Sequence, residues 1–106
     1  MSFCEGNLLH GIQHPEAGHI LLARKADDKG ESSCPYHDNC FEGLVSEPAI
    51  KKRYGKFAQE LENDDKVWDL ISEYIAQGVV NYIMSFIPQK ILWEGMLCIK
   101  KNYSLW

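Results

Sequence analysis

The strongest hydrophobic pattern in the chain is a helical one that begins near Asn63 and ends before Pro88. Apolar residues recur there at spacings of three and four, and Asn63, Asp64 and Asp65 supply cap and first-turn residues. Pro88 disfavours continuation of the helix. From Val79 onward the helix is apolar on nearly every side, which predicts neighbours on more than one side. We expect another molecule or the rest of a larger fold to provide them.

Two short apolar runs predict strands. Residues 19–24 form the first run, which ends in charge, and residues 90–93 form the second. The polar residues 25–33 contain Gly30 and predict a loop or hairpin turn after the first strand.

A second helix is predicted over residues 41–54, closed by Gly55 and either kinked or started late at Pro48. The expected fold is therefore α/β. It comprises a hairpin over residues 14–43, a helical region over residues 41–87 that ends in the long helix, and a short strand over residues 90–93.

Composition limits the classes of function. The chain has 106 residues and a mass of 12.2 kDa, enough for one small domain. Eleven Lys and Arg against fifteen Asp and Glu give a net charge of −4, which disfavours binding to nucleic acid or to an anionic membrane. No apolar run approaches the roughly 18 residues of a membrane span, and the N-terminus lacks the pattern of a secretory signal. We expect a cytoplasmic protein, in which the four cysteines are free or bound to metal.

Residues 34–40 hold a compact group of metal donors, Cys34, His37 and Cys40, at C-x2-H-x2-C spacing. A tight turn can bring these three side chains to one side. His19 heads the predicted strand and can supply a fourth donor, completing a Cys2His2 set for Zn2+, and His14 competes for that place. The alternative interpretation is a set of buried thiols and surface imidazoles. Because four protein ligands leave no open position for water, we expect a structural ion.

Two catalytic zinc chemistries fit the sequence poorly. A metalloprotease helix needs H-E-x-x-H, whereas Glu16 and His19 give only E-x-x-H. Pro15 before this segment and Gly18 within it disfavour a helix. A nucleobase deaminase needs H-x-E followed by P-C-x-x-C, and only the first half is present, at residues 14–16.

Two carboxylates lie close in sequence to the predicted zinc ligands. Glu16 is three residues before His19, and Glu42 is two residues after Cys40. Carboxylates held side by side can accept hydrogen bonds from vicinal hydroxyls, as a sugar would offer. From spacing alone, two solvated surface acids are the favoured interpretation.

The two motifs HPEAGH at residues 14–19 and CPYHDNCFEG at residues 34–43 together resemble the signature of the ROK family of sugar kinases and repressors. The variant with His between the two cysteines resembles the bacterial fructokinase branch. The resemblance implies an actin-like, ribonuclease-H-like ATPase fold, with ATP and Mg2+ as cofactors and fructose or a related hexose as substrate. It implies structural zinc on His19, Cys34, His37 and Cys40. It also implies sugar contacts from Glu16, His19 and Glu42.

Several family features are missing from residues 1–106, namely the N-terminal phosphate loop, the catalytic Asp base and the glycine-rich nucleotide-binding turns. Phosphoryl transfer depends on such positioning and charge neutralisation. We therefore expect one partial domain from the C-terminal lobe, without the N-terminal ATP-binding lobe and inactive alone. Expected partners are a sugar and either a second copy or the missing lobe. The alternatives are a zinc-stabilised interaction or sugar-sensing module, and one half of a split kinase.

Overall fold

The computed structural model describes residues 16–91, Gly11 and two short strands near the N-terminus. The strands, β1 (Phe3–Cys4) and β2 (Asn7–Leu8), pair antiparallel with Phe3 opposite Leu8. Three α-helices follow: α1 (Phe41–Val45), α2 (Glu47–Tyr54) and α3 (Asp65–Phe86). Short 3-10 helices lie at Ala17–His19 and Ala58–Leu61.

The helix predicted over residues 41–54 is interrupted by Ser46, so it forms as α1 and α2. Ser46 has extended backbone, and its hydroxyl caps α2 by accepting from Ala49 N–H at 3.3 Å. Pro48 lies in the first turn of α2, where its missing N–H costs no intrahelical hydrogen bond. Gly55 closes α2 with φ of 72°, a conformation that glycine adopts without strain. The break near Pro48 and the closing glycine are confirmed.

The long predicted helix is confirmed as α3. The Asp64 carboxylate accepts from Val67 N–H at 3.4 Å and caps the N-terminus. The helix ends where Ile87 turns into left-handed backbone at φ of 43°, one residue before Pro88. A continuous core lies between α3, α1, α2 and the second 3-10 helix. The largest fully buried side chains of this core are those of Tyr74, Leu44, Ile50, Ile71 and Ile75.

The strand predicted over residues 19–24 is wrong. His19 ends a 3-10 helix, and beyond it a single isolated bridge joins Leu21 to Cys40. The segment is extended, with Leu22 buried between the exposed Leu21 and Ala23, but it pairs with no strand among the residues that the structure describes. A tight turn faces one edge of it, and the Gln77 side chain occupies the other edge at Ala23. An extended segment without a neighbouring strand cannot build a ladder.

The hairpin predicted over residues 14–43 shows one isolated bridge within its described residues, 16–43, so its β structure is not confirmed there. Lys90 and Ile91 form no strand, and the other two residues of the predicted strand 90–93 lie outside the described ones. The described residues are mostly helical, which corrects the expected proportion of sheet.

The last turns of α3 are exposed and apolar, as the pattern predicted. Val80, Met84, Phe86 and Ile87 are each at least half exposed. No helix within the part of the chain that the structure describes is both long and apolar enough to span a bilayer.

Candidate metal centre

Four metal donors come together at one point of the structure, three of them from residues 34–40 and the fourth from His19, fifteen residues earlier. The ligand atoms of His19, Cys34, His37 and Cys40 all lie within 4.8 Å of one another. His19 comes from the 3-10 helix at Ala17–His19, Cys34 and His37 from the loop before α1, and Cys40 from the cap of α1. The fold brings together the three donors predicted from spacing and His19, one of the two histidines that the spacing left open as the fourth.

Backbone hydrogen bonds bring His19 to the other three donors. Phe41 N–H donates to Ile20 O at 2.9 Å, and Leu22 N–H donates to Asn39 O at 2.8 Å. The Asn39 side chain adds a 2.9 Å hydrogen bond to Leu22 O. These contacts join the segment after His19 to the turn that ends at Cys40, so His19 is held by its neighbours in sequence.

The donor set fits zinc. A tetrahedral ion with Zn–S of ~2.3 Å and Zn–N of ~2.0–2.1 Å separates its ligand atoms by roughly 3.4–3.8 Å. Cys34 Sγ lies 3.4 Å from His37 Nδ1 and 3.9 Å from His19 Nδ1, close to that range without adjustment. Two thiols and two imidazoles are a donor set typical of closed structural zinc sites. The ion would add a further link between the 3-10 helix that carries His19 and residues 34–40.

The two thiols differ in their surroundings. Burial pushes the pKa of the Cys34 thiol upward, but hydrogen bonds from the backbone of Tyr36 and His37 outweigh it, so the pKa lies below its usual value. The Cys40 thiol is fully enclosed, and burial raises its pKa even though Gly43 N–H donates to its sulfur at 3.3 Å. A metal ion would stabilise both thiolates, because a coordinating thiol is deprotonated outright.

Glu42 lies directly beside the predicted ligands. Its Oε2 is 3.2 Å from His19 Nε2, whereas His19 Nδ1 faces Cys34. A ligating histidine that donates its second ring nitrogen to a carboxylate is fixed in orientation and is a stronger ligand. The Glu42 side chain stays 54% exposed, so its carboxylate is also open to solvent.

The second predicted acid, Glu16, is exposed and immediately precedes the 3-10 helix that carries His19. Its backbone carbonyl accepts from His19 N–H at 3.0 Å, which makes Glu16 and His19 ends of one turn. Gly18 lies between them, and a Cβ there would be 3.5 Å from the Glu42 side chain. The turn and Glu42 are therefore in close proximity.

Sequence reasoning missed two residues that shape the site. A Cβ at Gly43 would lie 2.0 Å from Ser32 Oγ, and that hydroxyl accepts from Cys34 N–H at 3.1 Å. Gly43 thus allows Ser32 to hold Cys34 in place. Tyr82 of α3 donates to Ala17 O at 2.6 Å, 65 residues away in sequence. The glycine was visible in the motif at residues 34–43, but no local signal links Tyr82 to Ala17.

His14, the competing fourth ligand, lies outside the described residues, as do His10 and Cys98. The donor group found within residues 16–91 is complete at four without any of them.

Comparison with known proteins shows the family of the chain. A model of the ROK family matches residues 3–104. The chain belongs to the ROK family. Family membership implies an actin-like ATPase fold, and the resemblance stated from the two motifs is confirmed.

Similar curated proteins carry the name fructokinase. The chain is 50% identical over 98 residues to the "Putative fructokinase" of Bacillus subtilis (strain 168), covering 92% of this chain and 33% of that protein. It is 44% identical over 91 residues to the fructokinase of Pediococcus pentosaceus, covering 86% and 32%. It is 39% identical over 94 residues to the fructokinase of Zymomonas mobilis, covering 86% and 31%. The chain spans about a third of the length of these relatives.

Proposed function

We propose that this ROK chain supplies the zinc-binding and sugar-contacting segment of an ATP-dependent fructokinase-type sugar kinase. The observation that carries the proposal is the shared position of His19, whose Nδ1 lies among the metal donors and whose Nε2 meets Glu42. The imidazole of His19 therefore connects the metal-donor group to the carboxylate of Glu42. The names of the relatives support fructose as the substrate.

Zinc has a structural role in this proposal. Held by His19, Cys34, His37 and Cys40, the ion would supply no reacting group. It would fix the loop and the 3-10 helix relative to α1. Zinc affinity in small sites reaches about 10–16 kcal/mol and acts as folding free energy. The position of Glu42 depends on this fixing, since Glu42 lies in the first turn of α1, which Cys40 caps.

Sugar recognition follows from what the zinc fixes. Glu16 and Glu42 accept hydrogen bonds from vicinal hydroxyls of a hexose. His19 Nε2–H, which lies 3.2 Å from Glu42 Oε2, donates to a sugar hydroxyl in place of Glu42 when the hexose is bound. Because each hydroxyl makes a hydrogen bond with one of these groups, a deoxy analogue that lacks the hydroxyl should bind more weakly.

Phosphoryl transfer requires more than these residues. The chain covers 33% of the Bacillus subtilis relative. In this proposal residues 1–106 form one partial domain, and the catalytic base, the ATP site and its Mg2+ belong to the remaining two thirds. In the complete protein the reaction is ATP plus D-fructose giving ADP and fructose 6-phosphate, in the cytoplasm. The isolated chain holds the sugar-binding acids without the phosphate cradle, so it is inactive alone.

The sugar-binding part is tested by titrating the zinc-loaded chain with fructose, followed by ligand-observed NMR. Glu16→Gln and Glu42→Gln should each weaken binding about tenfold, because a charge-assisted hydrogen bond contributes ~1.5–3 kcal/mol. Glu62→Gln, at an exposed position beyond the second 3-10 helix, is the matched control and should leave binding unchanged. Equal binding by all four proteins, or none by the unsubstituted chain, contradicts the proposal.

A second candidate is a zinc-stabilised interaction module, either a sugar-sensing piece or one half of a split kinase. The exposed apolar end of α3 favours it, because such a surface is typical of a contact with another polypeptide. Mixing the chain with a separately produced polypeptide that carries the missing phosphate loop separates the cases. Fructose phosphorylation only in the mixture identifies a split enzyme, and a stable non-catalytic complex identifies the module. The molar mass in solution of the purified chain, measured without a partner, shows whether it forms a homodimer.

A further inference from the structure

Tyr82 contacts both segments that carry the proposed sugar-binding acids. Its hydroxyl donates to Ala17 O at 2.6 Å, inside the turn between Glu16 and His19. Its ring packs against the Phe41 ring with centroids 6.1 Å apart. Phe41 stands between Cys40 and Glu42 in sequence, so one side chain of α3 contacts a direct neighbour of each acid.

The face of α3 around Tyr82 is shaped for this double contact. Gly78 lies one turn earlier on the same face, and a Cβ there would be 2.2 Å from Phe41 Cε2. The missing side chain lets the Phe41 ring lie directly on the helix beside Tyr82. Phe41 is buried, which fixes its position and hence the start of α1. Tyr82 itself is partly buried, and burial raises the pKa of its phenol, so the hydroxyl stays a donor at neutral pH.

We propose that Tyr82 is a positioning residue for sugar binding, which sets the distance between the Glu16 turn and Glu42 by holding Ala17 O and Phe41 at once. This inference rests on the proposed function. Zinc fixes the turn at His19, its last residue, and the Tyr82 hydroxyl fixes it again near its start. Ala17 directly follows Glu16, so an anchor at Ala17 O constrains the backbone from which the Glu16 side chain extends.

The variant Tyr82→Phe removes only the hydroxyl and keeps the ring against Phe41. Tyr74→Phe is the matched control, because it removes a buried tyrosine hydroxyl from the same helix, one that donates to Asp28 instead. Three quantities are measured on each zinc-loaded chain. They are zinc per chain, the amide hydrogen-exchange rates of His19 and Ile20, and the dissociation constant for fructose.

We expect Tyr82→Phe to retain one zinc per chain and to exchange the His19 and Ile20 amides about three- to tenfold faster, with a similar weakening of fructose binding. Tyr74→Phe should leave the exchange rates of the His19 and Ile20 amides and the dissociation constant for fructose unchanged, although it lowers global stability. Unchanged amide exchange in Tyr82→Phe overturns the inference. Faster exchange with an unchanged fructose constant also overturns it, since it shows a structural role only.

The two proposals fail in distinguishable ways. Should the unsubstituted chain bind no fructose, the sugar-binding proposal fails, and the exchange rates alone then decide whether Tyr82 holds the turn. Should fructose bind but Tyr82→Phe match Tyr74→Phe in every measurement, only the inference about Tyr82 fails.

Discussion

The Arg53 guanidinium donates to both carboxylate oxygens of Asp28, each at 2.8 Å, and the two side chains are only 2% and 3% exposed. The pair joins α2 to the loop that leads to Cys34. Tyr74 of α3 donates to the same carboxylate, and Lys25 N–H donates to the Tyr74 hydroxyl at 3.1 Å. Arg24 adds hydrogen bonds to the carbonyls of Asp28 and Gly30. A buried ionic cluster centred on Asp28 therefore holds the loop at residues 25–33, which follows the predicted strand 19–24.

Breaking this pair should strongly destabilise the protein. Arg53→Met leaves the Asp28 carboxylate buried without its main partner, and such losses cost about 3–5 kcal/mol. Chemical denaturation followed by circular dichroism measures the change. Glu73→Gln breaks the exposed pair with Lys25 and should barely change stability, because water screens it. Equal effects of the two variants would contradict a stabilising role for the buried pair.

The same pair predicts a pH dependence. Burial pushes the pKa of Asp28 upward, but the hydrogen bonds from Tyr74 and Arg53 outweigh it and hold the pKa below its ordinary value. The folded pKa is thus lower than the unfolded one of about 3.9, so the carboxylate stabilises the fold above that pH and ceases to do so as the pH falls below it.

The measurement is the difference in unfolding free energy between the unsubstituted chain and Asp28→Asn. We expect it to be constant above about pH 5 and to shrink below about pH 4. Acid loss of zinc affects both proteins, so it cancels in the difference. A difference that grows on acidification would contradict the lowered pKa of Asp28.

Zinc removal is expected to destabilise the loops around α1. Free zinc at 1,000 times its dissociation constant stabilises a protein by about 4.1 kcal/mol, and a chelator removes that contribution. Cys34→Ser should resemble the chelated protein and no longer respond to added zinc. Cys98→Ser removes a cysteine outside the predicted ligand set and should bind zinc normally. The measurement is the thermal midpoint with and without chelator, together with metal content. An identical midpoint in both conditions would show that the donors hold no stabilising ion.

The metal donors were predictable because their chemistry is carried by residue type and spacing. Cys34, His37 and Cys40 lie within one turn, and such local geometry is constrained by the chain itself. Helix α3 was predictable for the same reason, since its caps and its period are local. His19 was less constrained, with His14 as a competitor, because its approach depends on hydrogen bonds across the fold.

The failed strand at residues 19–24 shows where local reasoning stops. Leu22 is buried between the exposed Leu21 and Ala23, as in a strand, but a strand needs a neighbouring strand. Here the neighbours are a turn and the amide of Gln77. Nothing near Ala23 in the sequence indicates an amide 54 residues away. The contact between Tyr82 and Ala17 escaped prediction for the same reason.

Gly78→Ala should destabilise the protein, although alanine favours helices by about 1 kcal/mol over glycine. The new Cβ would lie 2.2–2.7 Å from three atoms of the Phe41 ring, and overpacking of a core costs about 1–3 kcal/mol. Asn81→Ala, exposed on the same helix, gains propensity without a clash and should stabilise slightly. Thermal unfolding of both variants tests the packing. If Gly78→Ala is the more stable of the two, the Phe41 ring does not lie on this face of α3.

The amide of Gln77 takes the place of a neighbouring strand at Ala23. A carboxylic acid at this position should therefore stabilise the fold more at low pH than at neutral pH, the opposite of Asp28. Ala23 N–H donates to Gln77 Oε1 at 2.8 Å, and Gln77 Nε2 donates to Ala23 O at 3.0 Å. Gln77→Glu keeps the first hydrogen bond at neutral pH but sets a carboxylate oxygen against the Ala23 carbonyl. Protonation restores a donor, so the pKa of Glu at this position should be higher in the folded chain than the unfolded value of about 4.3. The variant should then be less stable than the unsubstituted chain by about 1 kcal/mol at pH 7, and it should recover as the pH falls through the raised pKa of the new carboxyl group.

Gln77→Met is the control, because it has no titrating group, and its loss of stability relative to the unsubstituted chain should not change with pH. A deficit of Gln77→Glu that is the same at pH 4 and pH 7 would show that the side chain does not pair with the Ala23 backbone.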